Sequence, residues 1–407
     1  MNILITGAQF HNKGAQSLLF TVMSEFRSRY ENVEIYYLPI DDCFHYEPGK
    51  YRFYLVFDDL AYLDYIKQGK DIPRNLCRCG KENIKWVLRH HEKKLLRLSR
   101  VWPIMDAVVD VSGYALTSQF ELRGTYRYIR HINMAKKLGI PVILMPQSFG
   151  PFEYADEKVR LLLHDALNSA DCIFAREAEG IDALAEIGVK RNVKQSADLV
   201  LQSKEIEWRA VYSEKPVISA IELNTKNNVA VIPNMQLYRY GSKDQILQTY
   251  RAIIERILQA GKNIYIFRHS NDLVACEDIY AMFPDNNNIH LIREEMSCLE
   301  YSVFIRQFDF IVASRFHSIV HAYREGIPAF ILGWAIKYHN LASMLQQESY
   351  VFDGTNIAPE NQKAMLEQLE KMKENCTQES TVIRRNLEKI QSNNCYDICD
   401  DILRLRG

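Results

Sequence analysis

The sequence predicts an α/β protein made of two doubly wound, Rossmann-like domains facing each other across a cleft, with a helical segment at the C-terminal end. Three observations carry this. Apolar runs and amphipathic stretches alternate in two successive series along the 407 residues, a length that suits about two cores. The apolar runs are continuous, as in strands of a parallel sheet covered on both faces. A polar stretch at residues 202–215 separates the two series, and nothing beyond residue 359 reads as a strand. The domains are therefore placed at 1–205, at 206–358 and, for the terminal helices, at 359–407. In such pairs a ligand lies in the cleft, outside the carboxyl ends of the strands.

In the first series, strands are read at residues 2–6, 33–38, 107–111, 142–145 and 172–175, and helices at 15–30, 124–138, 158–169 and 177–187. Residues from about 43 to 100 are less regular, rich in Tyr, Arg and Lys, with one basic amphipathic helix at 82–100. In the second series, strands are read at 229–232, 263–267, 289–292, 308–313 and 329–332. The helices lie at 243–260, 273–282, 298–307, 317–325 and 340–346. The run FDFIVA at 308–313 reads as a buried strand, and Gly326 and Pro328 stop the helix that follows it.

Lys plus Arg number 50 and Asp plus Glu 51, for a formal charge of −1, which gives no support for a nucleic-acid partner. No apolar run approaches the ~20 residues that span a bilayer. The opening residues Met1 to Gly7 lack a basic leader, so a cytoplasmic protein is expected. Nine cysteines are scattered, and the closest groupings, Cys77/Cys79 and Cys395/Cys399, lack the second pair of a zinc site. Free thiols and no metal are expected.

The sharpest motif is Ser314-Arg315-Phe316-His317-Ser318, where a strand feeds a helix. Free backbone N–H groups and the helix dipole favour an anion there. A guanidinium and an imidazole at the same point suit a phosphate or carboxylate that also needs a proton moved. Lys337, past the strand at 329–332, would join Arg315 and His317 from an adjacent strand end. His321, four residues after His317, shares its helix face.

Five further segments follow strands. The loop from Gly7 to Gln16 is equally a structural turn needing glycine and a ligand loop, with Asn12, Lys13 and Gln16 facing the cleft; it has neither G-x-G-x-x-G spacing nor a P-loop. Asp110, in Asp110-Val111-Ser112-Gly113, either caps its loop or acts as a base or anchor for a hydroxyl. Ser112-Gly113 permits close approach and tips the reading to the second. Gln147 and Ser148, before Gly150-Pro151, either bond into the cleft or stiffen a rigid loop. Arg176 either reaches an anion or pairs with Glu177 at a helix start, and Asp198 caps a turn. His269 is a proton-transfer candidate by type and place, although a lone histidine is more often structural, and its neighbour Arg268 suits an anion.

Taken in order, HNKGAQS, QSFGPF, ARE, SADL and SRFHSIVHAYREGIPAFILG with the following Lys337 resemble the polysaccharide pyruvyl transferase family over most of the chain. The resemblance implies a two-domain fold like the B-type glycosyltransferases (GT-B-like), with the N-terminal domain on the acceptor side and the second on the donor side. It implies phosphoenolpyruvate as donor substrate, no cofactor, and a sugar of a surface polysaccharide (exopolysaccharide or capsule), or of its lipid-linked precursor, as acceptor. The product is a cyclic ketal. The segment DVSGY has one glycine where the family has several, and the first loop departs from G-N-x-G-D.

On that resemblance the catalytic candidates are His317 as general acid, His269 as second choice and Asp110 as base or acceptor anchor. Arg315, Arg176 and Lys337 would bind the donor, with Ser314, Phe316 and Arg268 around them; Asn12, Lys13, Gln16, Gln147 and Ser148 would line the acceptor loops. Two alternatives stay open. A nucleotide-sugar-dependent glycosyltransferase of the same architecture would need a carboxylate on the ribose, with Glu222 and Glu325 as candidates. A non-catalytic glycan-binding member would explain the sparse glycine segment. A lipid-linked acceptor would bring the protein to the inner face of a membrane. The helix at 82–100 is either a peripheral membrane contact or a solvated face, and its acidic neighbours favour the latter.

Overall fold

The structure, a computed structural model, describes all residues except 11, 41–48, 62, 65–79, 82–95, 219–220, 224, 358 and 405–407. Two compact units emerge. The first comprises Met1–Leu199, Glu205–Pro216 and Asn394–Gly407; the second comprises Val200–Lys204 and Val217–Asn393.

The first unit holds strands β1 (Asn2–Thr6), β2 (Glu34–Leu38), β3 (Tyr54–Phe57), β4 (Leu96–Arg97), β5 (Ala107–Asp110), β6 (Tyr114–Leu116), β7 (Val142–Phe149), β8 (Cys172–Ala175) and β9 (Val193–Gln195). They pair in parallel in the order β4-β3-β2-β1-β5-β7-β8-β9, with β6 beside β7. The chain winds outward from β1, then returns to β5 and winds the other way. The strand order reverses between β1 and β5, whose carboxyl ends are therefore the place where doubly wound sheets bind ligands. Ile3, Ile5, Val109, Ile143 and Ile173 are fully buried, as continuous apolar strands require.

The second unit holds β10 (Asn228–Ile232), β11 (Asn263–Phe267), β12 (Ile289–Ile292), β13 (Phe310–Ala313), β14 (Ala329–Gly333) and β15 (Val351–Asp353). Their order is β12-β11-β10-β13-β14-β15, all parallel, with the reversal between β10 and β13. Val229, Val231, Ile264, Ile266, Phe310 and Val312 form its core with Tyr250, Ile253 and Ile254 from helix Lys243–Gln259. Burying each such side chain contributes about 1.5–3 kcal/mol.

Several expectations change. The short strands β3, β6, β9 and β15 were not predicted. Helix Ile336–Met344 begins four residues before the predicted 340, which puts Lys337 in its first turn. Most of the predicted helix at 82–100 lies outside the described residues, and its end forms β4 and helix Leu98–Val101. The stretch at 202–215 is no loose linker. Ile206, Ala210, Val211 and Tyr212 are buried. Glu207 N donates to Ser24 Oγ at 2.9 Å, and Arg27 bonds to the Ala210 carbonyl, both on helix Lys13–Arg29 or its partner segment in the first unit.

The terminal helices divide between the units. Pro359–Ser392 places Met365, Leu369 and Met372 in the second core. Tyr396–Arg404 joins the first unit, where Asp397 and Asp400 each accept from Arg29 Nη1 at 2.9 Å. The six described cysteines, Cys172, Cys276, Cys298, Cys376, Cys395 and Cys399, are in no disulfide, while Cys77 and Cys79 lie outside the described residues. No described helix is long and apolar enough to cross a membrane.

Candidate active site

At the reversal point of the first unit, the predicted site residues bond to one another. Asp110 ends β5 with 6% exposure. Its Oδ2 accepts from Thr6 Oγ1 at 2.7 Å; its Oδ1 accepts from Tyr128 Oη at 2.6 Å, Ser112 N at 3.1 Å and Gln147 Nε2 at 3.2 Å. Both oxygens are occupied, so Asp110 ties β1, β5 and β7 together and is not poised as a base. Burial, and then the Asp110 charge, push the Tyr128 hydroxyl well above its ordinary pKa and keep it a donor. Gln147 is fully buried inside this network. Gly7, at φ +89°, approaches so closely that a Cβ would meet Ser112 Oγ at 2.3 Å, which favours the structural reading of its turn.

Asn12 caps helix Lys13–Arg29, accepting from Gly14 N at 3.1 Å, and Lys13 and Gln16 are buried in the first turns. His11 lies outside the described residues. Arg176, 3% exposed, bonds to Asp198 at 2.6 Å, Ser148 Oγ at 2.7 Å and the Gly113 carbonyl at 2.8 Å. Ser148 in turn donates to Glu177 at 3.0 Å. Buried Arg176 and half-buried Ser148 thus form a clamp joining the ends of β7 and β8 to the loop after β5. The expectations that Arg176 binds donor and that Gln147 and Ser148 line an acceptor loop give way to this internal bonding.

The second unit keeps its cations at the carboxyl edge. Arg315 follows β13 at the reversal point as N-cap of helix Phe316–Arg324. Its Nε and Nη2 donate to the two oxygens of Asp272 at 2.6 and 2.9 Å. Asp272, fully buried after β11, also accepts from Met235 N at 3.1 Å, after β10. This fixes the guanidinium plane while a quarter of the side chain stays exposed. Sequence reasoning passed over Asp272, which stands 43 residues from its partner.

Phe316 joins the other cations. Its ring centroid lies 5.5 Å from that of His317 and 5.4 Å from Lys337 Nζ. Lys337 Nζ also lies over Trp334 at 4.8 Å and Tyr338 at 5.9 Å. β13 and β14 are paired neighbours, so His317 after one strand and Lys337 after the next both lie beside the Phe316 ring, and Arg315 is the N-cap of the same helix as His317. Ser314 instead is fully buried. Its hydroxyl meets Tyr250 Oη at 3.0 Å, and its carbonyl accepts from Asn234 Nδ2 at 2.9 Å and Tyr338 Oη at 2.8 Å. It locks the ends of β10, β13 and β14 and does not present itself to a ligand. Arg268, half-buried after β11, lies 3.6 Å from Glu295.

His269 departs from its predicted catalytic role. It is 3% exposed and packed between Tyr301, at 5.0 Å, and His321, at 5.8 Å. His321 Nδ1 lies 3.2 Å from Ser302 Oγ. Burial, then the charges of Arg324 and His317, hold the His321 pKa well below the ordinary 6.5, so it is neutral. The ribose carboxylates required by the nucleotide-sugar alternative sit at the wrong edge. Glu325 caps the far end of helix Phe316–Arg324, paired with Arg306 at 2.6 Å and Arg324 at 3.1 Å. Glu222 precedes β10, beside Leu223, whose N–H bonds to Gln307 ahead of β13.

The chain is similar in fold to several solved structures. UDP-GlcNAc 2-epimerase from Neisseria meningitidis, bound to UDP-GlcNAc, is 11% identical with a TM-score of 0.57, over 99% of this chain and 100% of that one. The same enzyme from Methanocaldococcus jannaschii is 14% identical with a TM-score of 0.51, over 91% and 92%. Phytolacca americana UGT2, complexed with UDP-2fluoro-glucose and pterostilbene, is 11% identical with a TM-score of 0.51, over 98% and 99%. These likenesses establish the GT-B-like fold class. No curated protein matches. The family pattern described as polysaccharide pyruvyl transferase matches residues 12–335, most of the chain, from the Asn12 cap through Arg315 and His317. The chain belongs to the polysaccharide pyruvyl transferase family, and is a transferase.

Proposed function

We propose that the protein transfers the pyruvyl group of phosphoenolpyruvate to two hydroxyls of a saccharide, forming a cyclic ketal and releasing phosphate. The observation that carries this reading is the placement of His317 and Lys337 against the Phe316 ring at the carboxyl edge of the second unit, with Arg315 as N-cap of the same helix. The donor brings about three negative charges near neutral pH. Asp272 neutralises Arg315 but orients it, leaving Nη1 for the donor, while Lys337 and the first turn of helix Phe316–Arg324 supply attraction.

His317, half-buried in that first turn, delivers a proton to the methylene carbon of phosphoenolpyruvate. C2 becomes cationic and the first sugar hydroxyl adds to it, giving up its proton. Phosphate then leaves with its bridging oxygen, and the second hydroxyl closes the ketal on the same carbon. Of the two hydroxyl protons, one replaces the proton that became part of the methyl group and the other departs with phosphate. A lipid-linked saccharide would be met at the inner face of a membrane.

The test is phosphate release from phosphoenolpyruvate with and without a panel of saccharides, free and lipid-linked. Release should require the acceptor. His317→Asn should lower kcat by about 10²–10⁴ while sparing donor binding, and Lys337→Met should weaken donor binding. Wild-type turnover in both variants would remove the mechanism.

A further inference from the structure

We infer that Tyr240 and Trp334 form a stacking platform for a pyranose ring of the acceptor. This rests on the pyruvyl-transfer reading and deepens it by assigning an acceptor contact in the second unit. Such a contact is called for because Asn12, Gln147 and Ser148, expected to face the acceptor, are bonded within the first unit.

Tyr240 ends the short helix Leu237–Tyr240 after β10, and Trp334 follows β14, so both stand at the carboxyl edge. Their rings stack at 5.1 Å and 20°. Tyr240 is 61% exposed, so one ring face lies on Trp334 and the other is open to solvent. The tyrosine's backbone is held in place. Gly241 N donates to Leu237 O at 2.9 Å, and Gly241 approaches the Thr355 carbonyl so closely that a Cβ would lie 2.2 Å from it. Thr355 is itself anchored, its N and Oγ1 donating to Asp353 at 2.9 and 2.6 Å. Trp334 packs against the second core and carries Lys337 Nζ at 4.8 Å. One array therefore runs from Tyr240 through Trp334 and Lys337 to Phe316, beside Arg315 and His317.

A pyranose has an apolar C–H face and a rim of hydroxyls. A rigid aromatic face takes the first and leaves the second free, at little entropic cost. Phosphoenolpyruvate, with three carbons and two anionic groups, has no face that uses stacked rings. An exposed tyrosine stacked on a half-buried tryptophan beside cationic side chains suits a ligand surface, and here a sugar laid on it would bring its hydroxyls alongside the donor's cations.

The experiment uses the full chain and saturation-transfer-difference NMR with methyl glycosides of glucose, galactose, mannose and N-acetylglucosamine, with uridine diphosphate as a separate probe. Wild-type protein should saturate the ring C–H protons of at least one glycoside. Tyr240→Ala should abolish that signal, and Tyr240→Phe should keep it. In turnover, Tyr240→Ala should raise KM for the saccharide about tenfold with KM for phosphoenolpyruvate unchanged. No glycoside signal in the wild type, an undiminished signal in Tyr240→Ala, or a Tyr240-dependent signal from uridine diphosphate alone overturns the platform. Phosphoenolpyruvate turnover tests the broader reading separately, since the binding experiment needs no donor.

Discussion

Replacing Arg315 by methionine should destabilise the second unit far more than removing its ion pair altogether. Asp272 has no exposed surface, and the substitution strips it of the bonds at 2.6 and 2.9 Å while leaving only the one from Met235 N at 3.1 Å. Breaking a buried pair by removing one partner costs about 3–5 kcal/mol. The 26% exposure of the Arg315 side chain screens the pair and points to the lower end, about 3 kcal/mol. At about 2–4 °C per kcal/mol, this is a fall of roughly 6–12 °C in the melting of that unit. Adding Asp272→Asn to Arg315→Met removes the stranded charge and should recover most of the loss. Circular dichroism melts of wild type, both single variants and the double complete the cycle. Additive losses would show that the two residues do not act as a pair. Donor affinity supplies the functional half. Asp272→Asn retains the Arg315 charge but frees its orientation, so KM for phosphoenolpyruvate should rise about tenfold. An unchanged KM would refute the role given to Asp272.

Two further outcomes are expected. Gly7→Ala should lower the stability of the first unit by about 2 kcal/mol or more, because φ is +89° and the new Cβ would lie 2.3 Å from Ser112 Oγ. Gly124→Ala, in helix Leu122–Lys137 with nothing within 4 Å, should be stabilising or neutral in the same melts, and equal effects would contradict the close approach. His321 is held neutral in the fold chiefly by burial, with a pKa well below the ordinary 6.5, so the unfolded chain binds the extra proton. Its contribution is therefore present above about pH 6.5 and is lost below it, by about 1.4 kcal/mol per pH unit. Urea unfolding between about pH 7.5 and 5.5 should show a shallower decline for His321→Gln than for wild type; parallel slopes would count against it.

The core strands were legible because their residues announce themselves. Asn2–Thr6, Cys172–Ala175, Asn263–Phe267 and Ile289–Ile292 were read with the bounds they have. The edge strand Val193–Gln195 has one apolar residue in three and gives no such pattern. Helix Ile336–Met344 begins after Ala335, which offers no side-chain cap, so nothing local marked its start. That Arg268, Arg315 and Lys337 follow strand ends was legible from the apolar runs before them. The bonds that Asp110 and Arg176 make inside the first unit were not: Tyr128 reaches Asp110 across 18 residues and Asp198 reaches Arg176 across 22, and only folding brings them together. Asp110 and Arg176 looked available in sequence for that reason.

The division of the terminal helices bears on how the polypeptide matures. The first unit draws residues from Met1–Leu199, from Glu205–Pro216 and again from Asn394–Gly407, so it is assembled from pieces separated by nearly the whole of the second. A nascent chain must hold an unfinished N-terminal half, with the Arg29 docking place for Tyr396–Arg404 empty, until synthesis has passed residue 394. Neither half is therefore a contiguous fragment to be expressed by a simple cut, and trimming the final helix would injure the half encoded first.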